Sequence, residues 1–336
     1  MRIGNFDTQT KVLIVAEIGN NHEGNYALAE ELIGRAAEAG ADAVKFQTII
    51  PELLVEPSQV ERIAQLGRIC LPLTAFPQLK KQADAAGLLF LSTPFDPQGV
   101  ALLDPLVPAF KVASADNNFF PLLDAVAATG KPVLLSTGLA DLAVIDAARG
   151  YLRRRWAAHH RTGELALLHC VSSYPTPPQE ANLAAIRQLA ALGETVGYSD
   201  HTLGIEAAVL SVALGARIVE KHFTIDKAYS SFRDHQLSAD PGEMAQMVGR
   251  IRETETLLGS GQKGAMACEA GVAAQARRSA VAAGDLSQGT ILNRQHVLWL
   301  RPGGGIPPSR ADELEGRCLV RPLRRGERID ESALGQ

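Results

Sequence analysis

The sequence predicts an α/β fold: a (β/α)8 TIM barrel followed by a small β-rich domain. Three observations predict it. Short runs of the chain are continuously apolar, as strands buried on both faces are. Between them lie Ala- and Leu-rich stretches with helical spacing, several ending in Gly, as helix C-termini do. This alternation repeats eight times over roughly 250 residues, the length of such a barrel. A doubly wound open sheet is the main rival.

In order, the strand-like runs are Val12–Gly19, Ala43–Thr48, Leu88–Phe95, Ala109–Ser114, Pro132–Thr137, Leu165–Ser172, Thr195–His201 and Arg217–Thr224. The helical stretches include "NYALAEELIGRAAEAGAD", "PLTAFPQLKKQADAAG", "FPLLDAVAATG" and "IEAAVLSVALGA". After a Gly- and Ala-rich stretch, Gly259–Ala276, the pattern shifts to short β-type runs with Gly turns, so a second domain follows. The expected boundaries are 1–260 for the barrel, 261–276 for a linker and 277–336 for the small domain.

Composition narrows the partners. With 336 residues, 46% of them apolar, the chain can bury a large core. The net charge is −4, and basic residues are scattered except for knots such as Arg153-Arg154-Arg155 and Arg324-Arg325, so no face for nucleic acid is expected. Cys70, Cys170, Cys268 and Cys318 lie far apart with no CxxC spacing, which points to reduced thiols in a cytosol. No signal-peptide pattern opens the chain and no apolar run reaches the ~18 residues of a membrane span. A cytoplasmic enzyme of a small molecule is the expectation.

Active sites of this fold sit at the C-terminal ends of the strands, and every run here ends in chemistry. The ends read Glu17 with Asn20-Asn21-His22; Lys45 and Gln47; Ser92-Thr93; Lys111, Ser114 and Asp116; Ser136-Thr137; His169, Ser172 and Tyr174; Ser199-Asp200-His201; and Glu220-Lys221-His222. Lys45, Lys111, Thr93, Ser114 and Ser136 supply cations and hydroxyl donors, and Ser136-Thr137-Gly138 can present backbone N–H groups, so a phosphate or carboxylate is the natural guest. His201 and His222, on neighbouring strand ends with Asp234 and His235 in the next loop, suit Mn²⁺, Fe²⁺, Co²⁺ or Zn²⁺ in an open Lewis-acid site.

Taken together, "VAEIGNNHEG", "DAVKFQT", "LSTPFD", "FKVASADNN", "PVLLSTGLA", "LHCVSSYPTP", "VGYSDHTLG", "VEKHFT" and "RDHQLSADP" resemble the sialic acid synthase family. Its enzymes condense phosphoenolpyruvate with an N-acetylmannosamine-type sugar to give a sialic or related nonulosonic acid plus phosphate. The tail "ARRSAVAAGDLSQGTILNRQHVLWLRPGGGIPPSRADELEGRCLVRPLRRGERID" resembles the SAF, or antifreeze-like, domain that ends these synthases. The resemblance implies that Lys45, Thr93, Lys111, Ser114 and Ser136, with Ser199 nearby, hold phosphoenolpyruvate. It implies that His201 and His222 bind a divalent metal, Mn²⁺ first with Mg²⁺ or Co²⁺ as alternatives. The acceptor sugar would meet Glu17, Gln47, Asp116, Tyr174 and Asp234, and Arg301 of "LRPGGG" would reach the barrel of a partner subunit in a domain-swapped homodimer.

The reaction explains these parts. C3 of phosphoenolpyruvate is a weak nucleophile, so the aldehyde it attacks must be polarised by the metal. Water then adds at the cationic C2 and phosphate leaves, which calls for a carboxylate such as Glu17 as base and for a cationic pocket. Several positions depart from the family: Asp116 replaces a common Glu, Ser172 a common Asn, and Phe232-Arg233 a tight turn. The loop "IIPELLVEPSQVERIAQLGRICLP" is short and poor in Asn and Gly. These are the places where a different acceptor would be read. Two other functions fit less well. A metal-dependent barrel aldolase or hydrolase would want a further ligating residue early in the chain and has no use for the lysine pair. A non-catalytic sugar-binding protein would not need chemistry at all eight strand ends.

Overall fold

The computed structural model describes residues 1–335, Arg233 by its backbone alone. The chain forms two compact units, Met1–Gly259 and the residues from Ser260 onward. Eight parallel strands build the first: β1 (Leu13–Gly19), β2 (Ala43–Thr48), β3 (Leu89–Pro94), β4 (Phe110–Val112), β5 (Val133–Ser136), β6 (Leu165–Cys170), β7 (Thr195–Asp200) and β8 (Ile218–His222). Their ladder runs β3-β2-β1-β8-β7-β6-β5-β4, so first and last strands pair, as barrel closure requires. All eight expected runs are strands. They are trimmed where their last polar residues turn into loops: Ser114 opens a 3-10 turn, Ser114–Asp116, instead of ending β4.

A helix follows each strand: α1 (Tyr26–Glu38), α2 (Phe76–Ala85), α3 (Pro97–Leu103), α4 (Phe120–Thr129), α5 (Leu142–Ala158), α6 (Ala185–Ala190), α7 (Glu206–Ala213) and α8 (Pro241–Leu258). Side-chain caps start four of them. Asn25, Asp96, Asp141 and Asp240 each accept from N–H groups of the first turn, which satisfies donors that have no partner within the helix. Gly130 ends α4 at φ +72°, a conformation that Gly adopts without strain. The segment after β2 that reads as a plain loop contains two short helices, Pro51–Leu54 and Val60–Ile69.

Alternate residues of each strand feed two cores. Leu13, Val15, Ala43, Leu91, Ala109, Leu134, Ala166, Leu168 and Ile218 fill the barrel interior with Met1 and, from a short N-terminal strand pair, Ile3. Ile14, Ala16, Val44, Phe46, Phe90, Phe110, Leu135, Leu167 and Val219 face outward into the helix layer. Each of the Val, Leu, Ile and Phe side chains among them contributes about 1.5–3 kcal/mol. Because both faces are apolar along most of the strand length, polar groups facing inward stand out, and they lie at one end. Among the described residues no helix is long and apolar enough to cross a membrane.

The second unit pairs β9 (Ser279–Ala282) with β10 (Val297–Leu300), antiparallel, over a core that includes Ala280, Leu292, Ile306, Leu319, Leu323 and Ile329. The stretch before it, expected as linker, ends in a short helix, Ala270–Ala276.

Gly197 shows how closely the barrel interior is filled. A Cβ there would lie 2.6 Å from the Ile218 carbonyl oxygen, which belongs to the neighbouring strand and cannot move aside. Gly197→Ala should therefore cost about 1–3 kcal/mol and lower the melting temperature by roughly 2–4 °C per kcal/mol. An unchanged melting curve would contradict this packing.

Candidate active site at the barrel mouth

Strand parity selects the site. Counting in twos from the inward apolar residues, Val15 leads to Glu17, Ala43 to Lys45 and Gln47, Leu91 to Thr93, Ala109 to Lys111, Leu134 to Ser136, Leu168 to Cys170, Gly197 to Ser199 and His201, and Ile218 to Glu220 and His222. The same parity sends Ser92, His169, Asp200 and Lys221 outward. There Lys221 Nζ lies 2.9 Å from Asp200 Oδ2 and donates to the Thr202 carbonyl, while Asp200 also accepts from Tyr198 and Thr202. This buried pair sits one residue from each of His201 and His222 and braces their strand ends.

Four buried charges occupy the inner layer. Lys45 Nζ is 2.7 Å from Glu17 Oε2, 3.8 Å from Glu220 Oε2 and donates to Thr93 Oγ1 at 2.9 Å. Lys111 Nζ is 3.2 Å from Glu220 Oε1, which also accepts from Ser199 Oγ at 2.8 Å. The lysines expected to hold an anion are thus pre-aimed by carboxylates. Burial pushes Glu17 up, against the opposing pull of Lys45 and with help from Glu220. Burial acts on Glu220 in the same sense but is outweighed by Lys111, Lys45 and the Ser199 hydroxyl, which hold it low. Lys45 loses some basicity to burial and more than regains it from Glu17 and Glu220. One carboxylate is therefore strongly acidic and the other is ready to carry a proton.

Around this layer lie polar atoms without protein partners. Ser136 Oγ, Ser172 Oγ and Asp116 Oδ2 are buried and unbonded. Gly138 N–H donates to Ser114 Oγ at 3.1 Å, and a Cβ at Gly138 would lie 2.5 Å from Ser172 Oγ and 2.7 Å from Ser114 Oγ, so any larger residue would push the hydroxyls from these positions. Buried polar atoms cost about 1–3 kcal/mol each when unmatched, and a cluster of them marks a place for a polar ligand. Burial raises the Asp116 carboxyl to about 6.

Above the lysines stand the two imidazoles, ring centroids 5.4 Å apart, with Tyr174 4.2 Å from His201 and 6.2 Å from His222. His201 Nδ1 donates to the Val171 carbonyl at 2.9 Å, which fixes the tautomer and leaves Nε2 with its lone pair. Cys170 Sγ lies 3.7 Å from the same Nδ1. Burial lowers His201, but Cys170 and the Val171 carbonyl outweigh it and raise the ring; burial raises Cys170, and His201, Ser114 and Lys111 outweigh that. Burial, then His201 and Lys45, drive His222 well below the usual histidine range, and its Nδ1 is buried without a partner. Two nitrogen donors, one orphaned and neutral, fit a divalent cation. Among the described residues no group of three or more His, Cys, Asp or Glu side chains is placed to hold a metal ion.

The loop after β8 closes over the same end. His235 Nε2 lies 3.0 Å from Glu23 Oε1 and its Nδ1 2.6 Å from Thr224 Oγ1, which tethers Asp234 next to the mouth. Arg301 is exposed just past β10 in the C-terminal unit. Glu220 was read at its strand end without a role of its own and Cys170 only as a reduced thiol, although each is the inward position of its strand.

A parallel barrel whose one mouth gathers a balanced set of buried charges, orphaned hydroxyls and two facing imidazoles is an enzyme, and its small C-terminal unit is an SAF domain, matched over residues 277–334. The chain belongs to the NeuB family, whose sequence profile matches residues 32–263. It is 45% identical, over 87% of its length and 86% of the other chain, to an uncharacterised protein of Methanocaldococcus jannaschii. It is 38% identical to the N,N'-diacetyllegionaminic acid synthase of Legionella pneumophila, over 93% and 92% of the two chains. The solved N-acetylneuraminic acid synthetase of Leptospira borgpetersenii, in complex with citrate, is 35% identical, with a TM-score of 0.75 over 80% of this chain and 93% of that one.

Asp116 gives a pH test. Its folded carboxyl titrates at about 6, above the ~3.9 of an unfolded Asp, so the native state holds its proton longer and loses stability as pH rises between those values. Below about 4 both states are protonated and nothing is lost. The melting temperature of Asp116→Asn should therefore gain on that of the natural chain from about pH 4 to pH 6 and keep a constant lead above it. A gap that does not change with pH would contradict the burial of this carboxyl.

Proposed function

We propose that the enzyme condenses phosphoenolpyruvate with an N-acetylmannosamine-type, 2-acylamino aldose to give a nonulosonic acid and inorganic phosphate, in the cytoplasm. The observation that carries this reading is the layer of Lys45 and Lys111 held by Glu17 and Glu220 beneath His201 and His222, with orphaned hydroxyls beside it. It presents cations and donors for a phosphate and a carboxylate, and imidazole nitrogens for a Lewis acid directly above. The relatives support the reading: the similar Legionella pneumophila chain is an N,N'-diacetyllegionaminic acid synthase.

Lys45, Lys111, Thr93, Ser114, Ser136 and Ser199 bind the two anionic groups of phosphoenolpyruvate, and Gly138 keeps room between the hydroxyls. Gln47, Asp116, Tyr174 and Asp234 orient the acceptor. His201 and His222 hold a divalent ion, Mn²⁺ first with Mg²⁺ or Co²⁺ as alternatives, which when bound withdraws electron density from the aldehyde oxygen. C3 of phosphoenolpyruvate forms the bond to the aldehyde carbon, whose oxygen takes the electron pair. Water adds to the cationic C2, with Glu17, raised by burial, receiving its proton. The C2–O bond to phosphate then breaks as the C2 hydroxyl becomes the ketone and gives its proton to the departing phosphate, which the lysines stabilise, and the proton held by Glu17 passes to the alkoxide left at the former aldehyde. Arg301 completes the acceptor pocket from a partner chain in a domain-swapped homodimer. A metal-dependent aldolase or hydrolase would leave the lysine–carboxylate layer without a task.

The test is phosphate release from phosphoenolpyruvate with a panel of 2-acylamino and 2,4-diacylamino hexoses, with Mn²⁺ and with chelator. Release that needs both sugar and metal is expected; release indifferent to the sugar would overturn the reading. His201→Ala and His222→Ala should each fold, lose metal and fall to background turnover, because one imidazole does not hold a divalent ion tightly. Either variant keeping full metal content and rate would show the metal site to be elsewhere. Lys111→Ala should raise the KM for phosphoenolpyruvate roughly 10- to 100-fold, the loss of a charge-assisted contact, with little change in the KM for the sugar.

A further inference from the structure

One more amide belongs to the mouth. Asn20, just past β1, is 7% exposed and its Nδ2 donates to Gln47 Oε1 at 2.9 Å, while Gln47 Nε2 donates to Glu17 Oε1 at 3.2 Å. The direction of this chain is set at its end. Glu17 pairs with Lys45 through its other oxygen, and in this ionised, lysine-paired form the carboxylate accepts only. Gln47 must therefore turn its NH₂ to Glu17 and its oxygen to Asn20, and Asn20 must answer with its own NH₂. That leaves Asn20 Oδ1 as a buried acceptor with no protein partner. The backbone that carries it is held on both sides. Its carbonyl accepts from Glu23 N–H at 2.9 Å, and the next residue, Asn21, is bolted to the Phe223 carbonyl at 2.8 Å and to Ser238 Oγ at 2.9 Å.

We propose that Asn20 is a specificity-determining residue whose Oδ1 accepts a hydrogen bond from a hydroxyl or acylamino N–H of the acceptor sugar. This rests on the condensation reading and deepens it. A fixed, desolvated acceptor discriminates strongly, since a sugar lacking the matching donor leaves it unpaired. Exchange of the amide for an apolar group removes that penalty, so discrimination should collapse even where turnover survives.

The experiment measures kcat/KM in the presence of Mn²⁺ for pairs of 2-acylamino aldoses that differ by one donor: 4-hydroxy against 4-deoxy, 4-acylamino against 4-deoxy, and 6-hydroxy against 6-deoxy. The natural chain is expected to favour the donor-bearing member of at least one pair by about 10-fold or more; which pair responds tells hydroxyl from N–H. In Asn20→Leu, or Asn20→Ala should leucine overfill the space, that ratio should fall to within about threefold of unity, with the KM for phosphoenolpyruvate unchanged. A role confined to holding Gln47 would lower both members of a pair alike and preserve the ratio. A preserved ratio, or no preference in the natural chain, overturns the inference alone. Absence of phosphate release with every sugar overturns the condensation reading and this inference with it.

Discussion

Glu220 lies between two lysines, and the rest of the mouth is arranged around that contact. Its Oε1 meets Lys111 at 3.2 Å and Ser199 at 2.8 Å, and its Oε2 faces Lys45 at 3.8 Å. Lys45 in turn meets Glu17 at 2.7 Å. Placed singly in a barrel interior, any of these charges would carry a desolvation cost of several kcal/mol. As two of each sign they balance, and the lysines point upward in a fixed geometry before any ligand arrives. Such an arrangement does not serve stability best, since apolar side chains of similar volume would be as good or better. It serves a site that needs cations aimed in advance at an anion.

Stability is supplied lower down. Leu13, Val15, Leu91, Leu134, Leu168 and Ile218 fill the interior below the charges, and Met1 and Ile3 join them. The polar mouth can therefore leave Ser136, Ser172, Asp116 and His222 with unmatched atoms at a total cost that a large core tolerates. Outside the barrel, Asp200 and Lys221 form a second buried pair between the strands that carry His201 and His222. The inner set of four charges and this outer pair, alike in chemistry, thus do different work, set only by whether their residues face in or out.

That in-or-out distinction decides how much was legible in the sequence. Eight apolar runs showed the barrel, and their polar ends showed its mouth, because strand burial leaves a pattern that needs no partner to read. Lys45, Lys111, His201 and His222 could be picked out as chemistry by residue type and position. Glu220 was visible at its strand end but its part was not, since what makes it central is the distance to two lysines on β2 and β4, a property of closure across the barrel. The helices Pro51–Leu54 and Val60–Ile69 were missed for another reason: the second carries Val60, Ile63, Leu66 and Ile69 at helical spacing, but it buries only Leu66 and lies in a stretch that read as a connection between strand and helix. Asn20 gave no sign beyond its polarity; its meaning depends on which way two amides point.

The four charges act as one balanced unit, and a double-mutant cycle in unfolding free energy measures that directly. Glu220→Gln leaves two lysines against one carboxylate, and Lys111→Met leaves two carboxylates against one lysine, so each alone should cost about 3–5 kcal/mol. Together they restore balance around Lys45 and Glu17, and the double variant should be more stable than the sum of the two losses implies by about 1–3 kcal/mol. Losses that simply add would mean that the charges are independent and that the mouth is not organised around Glu220.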